Sequence, residues 1–201
     1  DVGTITGSVA TGTVTNDTAP LITGTMPSTS TSDMTVEVMR DGAIIGTATV
    51  SGTIWTYQVV ELVHGQTYIY SARVVNSTNG KSYGSNEISI IIDTEAPAAT
   101  TLDHITDNVG RITGDIANNG LTNDTTPTLT GSLTAELATG EFVQILRDAT
   151  VVGTATVTGT GWSFESAALT DGQTYSFTAR VSDAAGNMSA ETSARSITVD
   201  T

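Results

Sequence analysis

The chain repeats itself. Sliding the 201 residues along themselves by 107 positions aligns 1–94 with 108–201 without a gap, and about 37 of the 94 pairs are identical. Self-similarity of this length means two copies of one domain, each of ordinary domain size and able to bury a core. The matched blocks include Thr15-Asn16-Asp17-Thr18-Ala19-Pro20 with Thr122-Asn123-Asp124-Thr125-Thr126-Pro127, and Gly46-Thr47-Ala48-Thr49-Val50 with Gly153-Thr154-Ala155-Thr156-Val157. Arg40-Asp41 pairs with Arg147-Asp148, Trp55 with Trp162, Tyr68 with Tyr175, and Asp93-Thr94 with Asp200-Thr201. The expected organisation is therefore a first copy over 1–94, a connection over 95–107 and a second copy over 108–201. The connection holds one Pro and no Gly, which reads as a stiff link or an entering strand. The chain opens at Asp1 without an initiator Met or a leader pattern and closes on the counterpart of Thr94, so the sequence reads as a piece of a longer array.

Inside each copy the apolar residues alternate. Thr35-Val36-Glu37-Val38-Met39 and Thr67-Tyr68-Ile69-Tyr70-Ser71-Ala72-Arg73-Val74 have the period of two that marks half-buried strands. Arg40-Asp41-Gly42-Ala43 lies between two such runs and predicts a hairpin, because Asp-Gly tolerates the positive φ angles of a tight primed turn. The second copy has Asp148-Ala149 there, which predicts a different turn. Strands are expected near 5–9, 20–25, 35–40, 44–50, 55–60, 67–75 and 87–93, about seven per copy. That count predicts an all-β chain: two tandem immunoglobulin-like β-sandwiches of Greek-key topology, strung into an extended rod.

Composition narrows the partners. Seven Lys and Arg against 21 Asp and Glu give a formal charge of −14, which repels nucleic acid and anionic membrane surfaces. No apolar run reaches the roughly 18 residues a spanning helix needs, so no membrane insertion is expected. Cysteine is absent, which excludes disulfides and thiolate metal sites. A monomer is expected, with the neighbouring repeats of the same chain as its principal partners.

Catalytic chemistry finds no footing. His64 aligns with Asp171 and His104 lies in the connection, so neither belongs to a duplicated triad, and both read as solvated surface residues. There is no phosphate loop and no His-Glu-x-x-His motif. Trp55 and Trp162, each followed two residues on by Tyr57 or Phe164, read as core rather than as sugar platforms. Tyr68 and Tyr175 resemble corner tyrosines, whose hydroxyl returns to the backbone. The Asn-x-Ser/Thr triplets at Asn16, Asn76, Asn123 and Asn187 are expected by chance in so Thr-rich a chain.

The repeated acidic residues are the informative ones. Asp17 and Asp124 sit in a loop before the second strand, Asp93 and Asp200 end the last strand, and hard oxygen donors of this kind suit Ca²⁺ with its six to eight contacts. The competing reading is that Asn-Asp-Thr merely closes an Asx-turn. Greek-key topology is expected to bring Asp17, Asp93 and Glu95 to one pole of the first copy, and Asp107 and Asp183 to the facing pole of the second. Calcium would then neutralise a junction of carboxylates. Outer sites, Asp1 with Asn76 and Asp124 with Asp200, would be incomplete.

The run Val-Gly-x-Ile-Thr-Gly, Thr-Asn-Asp-Thr-x-Pro, Arg-Asp-Gly, Gly-Thr-Ala-Thr-Val, Trp, Gly-Gln-Thr-Tyr, Asp183-Ala184-Ala185-Gly186-Asn187 and a closing Asp-Thr resembles the tandem bacterial Ig-like repeats of giant biofilm-associated, type I-secreted adhesins. The resemblance covers essentially the whole chain. It implies a secreted protein on the surface of a Gram-negative cell, in which calcium-stiffened repeats form a stalk supporting adhesion and biofilm formation. A host or biofilm-matrix ligand would be held by other regions. The metal ligands it carries over are Asp17, Asp93, Asp107, Asp124, Asp183 and Asp200, with Glu95 added from position. Two other readings remain open at this point: a sugar- or protein-binding module, for which Tyr83 and Lys81 in the divergent loop are the place to look, and an accessory domain pair of a secreted hydrolase.

Overall fold

The computed structural model describes residues 7, 8, 10–26, 28 and 31–201. The chain divides into two compact units, 1–95 and 96–201. In the first unit the strands are β1 (Thr13–Thr15), β2 (Leu21–Thr25), β3 (Met34–Arg40), β4 (Ala43–Thr47), β5 (Thr49–Ser51), β6 (Ile54–Gln58), β7 (Thr67–Asn76), β8 (Ser82–Gly84) and β9 (Ile88–Ile92). One sheet runs β1-β9-β7-β3-β4, with β8 also on β7, and the other runs β2-β6-β5. The second unit has β10 (His104–Asp107), β11 (Gly114–Asp115), β12 (Gly120–Thr122), β13 (Thr128–Ser132), β14 (Phe142–Arg147), β15 (Thr150–Thr154), β16 (Thr156–Thr158), β17 (Gly161–Glu165), β18 (Thr174–Ser182) and β19 (Arg195–Val199). Its sheets are β12-β19-β18-β14-β15 and β11-β10-β13-β17-β16. Both units are immunoglobulin-like sandwiches, and the described residues contain no helix.

Alternation places the core. Along β3, Val36 and Val38 are buried while Thr35 faces out, and on the same outer face Glu37 pairs with Arg73 at 2.6 Å. Val143 and Ile145 do the same along β14. Between the sheets of the first unit lie Ile22, Trp55, Tyr70, Ala72, Ile90 and Ile92; their counterparts Leu129, Trp162, Phe177, Ala179, Ile197 and Val199 fill the second. Both tryptophans are thus core residues, as their repeated position implies. Each indole lies across a glycine of the neighbouring strand: a Cβ on Gly24 would run into Trp55, and one on Gly131 into Trp162.

Two details differ from the expectation. The expected strand over 44–50 is two strands, β4 on one sheet and β5 on the other, because the chain crosses between sheets at Ala48, whose amide bonds the Val36 carbonyl (2.8 Å). Short parallel strands β1 and β12, which pair with the last strand of each unit, carry too few residues to show a period in sequence. The strand expected over 5–9 involves residues outside those described. Within the expected connection, residues from 96 on belong to the second unit and His104–Asp107 form an entering strand: β10 pairs with β13, and Leu102 and Ile105 are buried in its core.

The two Arg-Asp hairpins also turn alike, contrary to the difference their sequences predicted. Asp41 and Gly42 have φ of 53° and 81°, and Asp148 and Ala149 have 52° and 63°. Each Asp is held there by strand contacts: Asp41 Oδ1 accepts the Ile69 amide (2.9 Å) and Asp148 Oδ1 accepts the Ser176 amide (3.0 Å). Tertiary hydrogen bonds therefore impose on Ala149 a backbone that an alanine side chain disfavours by about 1–2 kcal/mol. Replacing Ala149 by Gly should stabilise the second unit by about 0.5–1 kcal/mol, whereas Gly42→Ala should destabilise the first by about 1 kcal/mol, both read from denaturant unfolding midpoints.

Candidate functional site

The repeated Thr-x-Asp-x-x-Pro segment folds the same way twice. In the first unit the Asp17 amide donates to Thr15 Oγ1 (3.2 Å) and Asp17 Oδ1 accepts the Ala19 amide (2.9 Å). In the second, the Asp124 amide donates to Thr122 Oγ1 (3.0 Å) and Asp124 Oδ1 accepts the Thr126 amide (2.8 Å). These are Asx-turns, and they explain the repeated Asp by backbone chemistry alone. The second copy adds a layer. Thr122 Oγ1 donates to Asp107 Oδ2 (2.6 Å), Asp107 Oδ1 accepts the Val109 amide (2.7 Å), and Asp124 Oδ2 accepts the Asn108 amide (3.2 Å). With its amide nitrogen turned toward acceptors, Asn123 donates to Asp107 Oδ2 and to the Val109 carbonyl, both at 3.2 Å. Asp124 is fully buried and Asp107 nearly so. Two buried carboxylates are tolerated because amides and a hydroxyl replace the water they lose.

Strand register decides which acidic residues meet. Asp17 and Asp93 lie at one end of the first unit, since the Asp93 amide bonds the Thr15 carbonyl (2.9 Å). Glu95 joins them, its amide donating to Asp93 Oδ1 (3.0 Å). Asp107, Asp124 and Asp200 share an end of the second unit, the Asp200 amide bonding the Thr122 carbonyl (2.8 Å). Asp183 does not join Asp107 as expected. It follows the far end of β18, whose first residue Thr174 pairs with Thr198 near Asp200, so nine strand residues separate it from that pole. There it closes its own turn, accepting the Asn187 amide and side-chain nitrogen, each at 2.8 Å. Asn76, its counterpart, accepts the Thr78 and Asn79 amides (2.9 and 3.1 Å) and donates to Asp33 (2.8 Å). Among the described residues, no three His, Cys, Asp or Glu side chains form a group able to hold a metal ion.

His64 has a role that sequence reasoning missed. Its Nδ1 accepts the Thr94 amide (3.0 Å), and it lies 3.4 Å from Asp93 and 3.6 Å from Glu95. Asp171 does the equivalent work in the second unit, taking the Thr201 amide at 2.8 Å, and this bond holds its carboxyl below the usual range. The signal was available: aligned positions 64 and 171 both carry side chains that accept a hydrogen bond. His104 is likewise engaged, 3.3 Å from Asp115. The corner tyrosines behave as expected, the Val63 amide donating to the Tyr68 hydroxyl (3.1 Å) and the Thr170 amide to that of Tyr175 (2.9 Å). Arg40 and Arg147 stack over those rings, 5.3 and 5.4 Å from the centroids. The repeated residues thus hold turns and strand ends in place.

Burial grades their cost. Asp124→Ala leaves the Asn108 and Thr126 amides without acceptors in a water-poor site and should destabilise the second unit by about 2–3 kcal/mol; Asp17→Ala, in a wetter turn, should cost the first unit under about 1 kcal/mol, both from urea unfolding.

No curated protein sequence matches the chain. Among solved structures, it is similar to a chimeric titin Z1Z2-Z1Z2 tandem carrying an exogenous fibronectin peptide (14% identity, 95% of each chain, TM-score 0.30). It is also similar to a chimeric titin Z1Z2 carrying a decorin peptide (11% identity, 94% of this chain and 92% of that one, TM-score 0.36). The titin domains Z1Z2 in complex with telethonin give 10% identity over 92% and 88%, TM-score 0.33. Residues 99–201, just over half of the sequence, match the family described as Bacterial Ig-like domain. Domains of this family are typically non-catalytic structural modules and usually occur in extracellular or surface proteins. The match begins at residue 99 and so takes in β10 and the residues leading to it, as the sandwich itself does: the chain belongs to the bacterial Ig-like domain family.

Proposed function

We propose that the two units are spacer modules of a secreted bacterial adhesin, repeated to hold a ligand-binding region away from the surface of a Gram-negative cell and so to serve adhesion and biofilm formation. The observation that carries this reading is the use of the repeated residues. Trp, Tyr, Arg-Asp and Thr-x-Asp recur because each completes a core, a corner or a turn, and a duplicated scaffold in which these repeated side chains serve the fold suits a module selected for length and cohesion. The acid excess keeps such repeats soluble and mutually repelling.

Calcium enters this proposal as a separate element, drawn from the resemblance and from the acidic ends. Asp107 and Asp124, with Asp200 beside them, and Asp17, Asp93 and Glu95 are where it would be held. The spacer reading takes no step through the ion.

Pulled from its two ends, the 201-residue chain should lengthen in two separate unfolding events, each releasing roughly 300 Å at about 3.3–3.6 Å per residue. A single concerted event or extension without resistance contradicts the spacer reading. Higher unfolding forces in about 1 mM calcium than in chelator support calcium as the stiffening ion; equal forces remove the ion and leave the spacer.

A further inference from the structure

Asparagine followed by glycine is the step of a polypeptide most open to cyclisation, because glycine places no side chain between its own amide nitrogen and the carboxamide carbon of the residue before it. The sequence has two such steps, Asn79-Gly80 and Asn119-Gly120, one in each unit. Their surroundings are opposite.

Asn119 is built into a sheet. Its amide donates to the Ser196 carbonyl (2.7 Å), and the neighbouring Asn118 Oδ1 accepts the Ser196 amide (2.8 Å), so the two residues bind the start of β12 to β19. Gly120 donates its amide to the Ala117 carbonyl (2.8 Å) and opens the parallel pairing of β12 with Ile197 to Val199. A Cβ at Gly120 would come 2.7 Å from the Ala117 carbonyl oxygen and 3.0 Å from Ile116 Cγ2. Turning the Gly120 nitrogen toward the Asn119 side chain would therefore break a strand pairing and push against packed atoms.

Asn79 stands in the exposed turn that joins β7 to β8. Asn76 Oδ1 accepts the Thr78 and Asn79 amides, the Gly80 amide bonds the Asn76 carbonyl (2.9 Å), and the Asn76 amide bonds the Lys81 carbonyl (2.9 Å). Among the described residues no atom lies within 4 Å of a Cβ placed on Gly80, whose φ is 69°. The Asn79 side chain is already folded back along the chain: its Oδ1 accepts the Lys81 amide (2.9 Å), an Asx-turn that holds the carboxamide carbon beside the Gly80 nitrogen. Ring closure there gives up turn bonds that water replaces, and no strand pairing. The second unit has the reverse order at the aligned positions, Gly186-Asn187 followed by Met188, and so offers no such step in this turn.

We infer that Asn79 is a self-modification site, at which the chain converts a carboxamide into a carboxylate through a cyclic imide. The Gly80 nitrogen attacks Asn79 Cγ, its proton and the Nδ2 amino group leave as ammonia, and a five-membered succinimide closes. Water then adds to one of the two imide carbonyls. Opening at Cγ gives aspartate; opening at the main-chain carbonyl gives isoaspartate, whose backbone runs through the former side chain and is one carbon longer. Water is the only co-reactant. Either product adds a negative charge next to Lys81, the single lysine of the chain. Isoaspartate also takes the Oδ1 acceptor of the Lys81 amide into the main chain and lengthens the turn that sets the register of β8. The inference rests on this turn alone and is independent of the spacer reading.

The test ages the full 201-residue chain in mildly alkaline buffer and follows both Asn-Gly steps by peptide mapping, reading the mass gain of amide-to-acid conversion and methylation by a protein isoaspartate methyltransferase. In the folded chain Asn79 should convert at least tenfold faster than Asn119. In denaturing guanidinium the two rates should come within threefold of each other, since the dipeptide is the same. Asn79→Gln should remove the fast phase of methylation. Equal rates in the folded chain, faster conversion at Asn119, a tenfold difference that persists in guanidinium, or a fast phase that survives in Asn79→Gln would each overturn the inference.

Discussion

Each sandwich depends on one contact: an indole lying flat across a glycine of the neighbouring strand. Trp162 over Gly131 and Trp55 over Gly24 leave no room for a Cβ, so the glycine is fixed by the ring and the ring by the sheet that carries it. Burial of so large a side chain dominates the energetics of a small core. It also sets a problem, because the indole N–H must find an acceptor or stay in reach of water. In the second unit Thr100 provides the acceptor, and in doing so draws β10 against β13, with Leu102 and Ile105 completing the seal. The rest of that unit's second sheet follows from this closure. The first unit has the same tryptophan over the same glycine.

Turn chemistry forms the second tier. Thr-x-Asp-x-x-Pro, Arg-Asp and Gly-Gln-Thr-Tyr recur at fixed spacing because each closes a backbone circuit: an Asx-turn, a hairpin pinned to the next strand, a tyrosine returned to an amide five residues upstream. The buried Asp107–Thr122–Asp124 network takes this furthest, with two carboxylates each accepting hydrogen bonds from the chain. This is why residues that look like calcium ligands in sequence act in the structure first as acceptors for the chain itself.

Much of the fold was legible because its signals are local and doubled. The period of two in Thr35-Val36-Glu37-Val38-Met39, the paired tryptophans and the corner tyrosines all point to a sandwich, and the 107-residue register fixes two of them. The failures share a cause, which is that tertiary contacts overrode a local preference. Ala149 looked unfit for a primed turn, yet Asp148 is held to Ser176 and carries its neighbour along. Ala48 reads as mid-strand, yet the chain changes sheets there. Asp183 was placed beside Asp107 from topology alone, and the length of β18 separates them. His64 is solvated as expected, and its bond to the Thr94 amide is hinted at only by its alignment with Asp171, another acceptor.

The central claim is that the segment leading into β10 closes the core of the second unit over Trp162, through Thr100 and the β10–β13 pairing. Native-state amide hydrogen exchange on the chain alone tests it most directly. The account predicts that Thr130, which faces β10, exchanges about as slowly as Gly131, which faces the inner strand β17. Exchange of Thr130 at the rate of a free edge amide while Gly131 stays protected would contradict it.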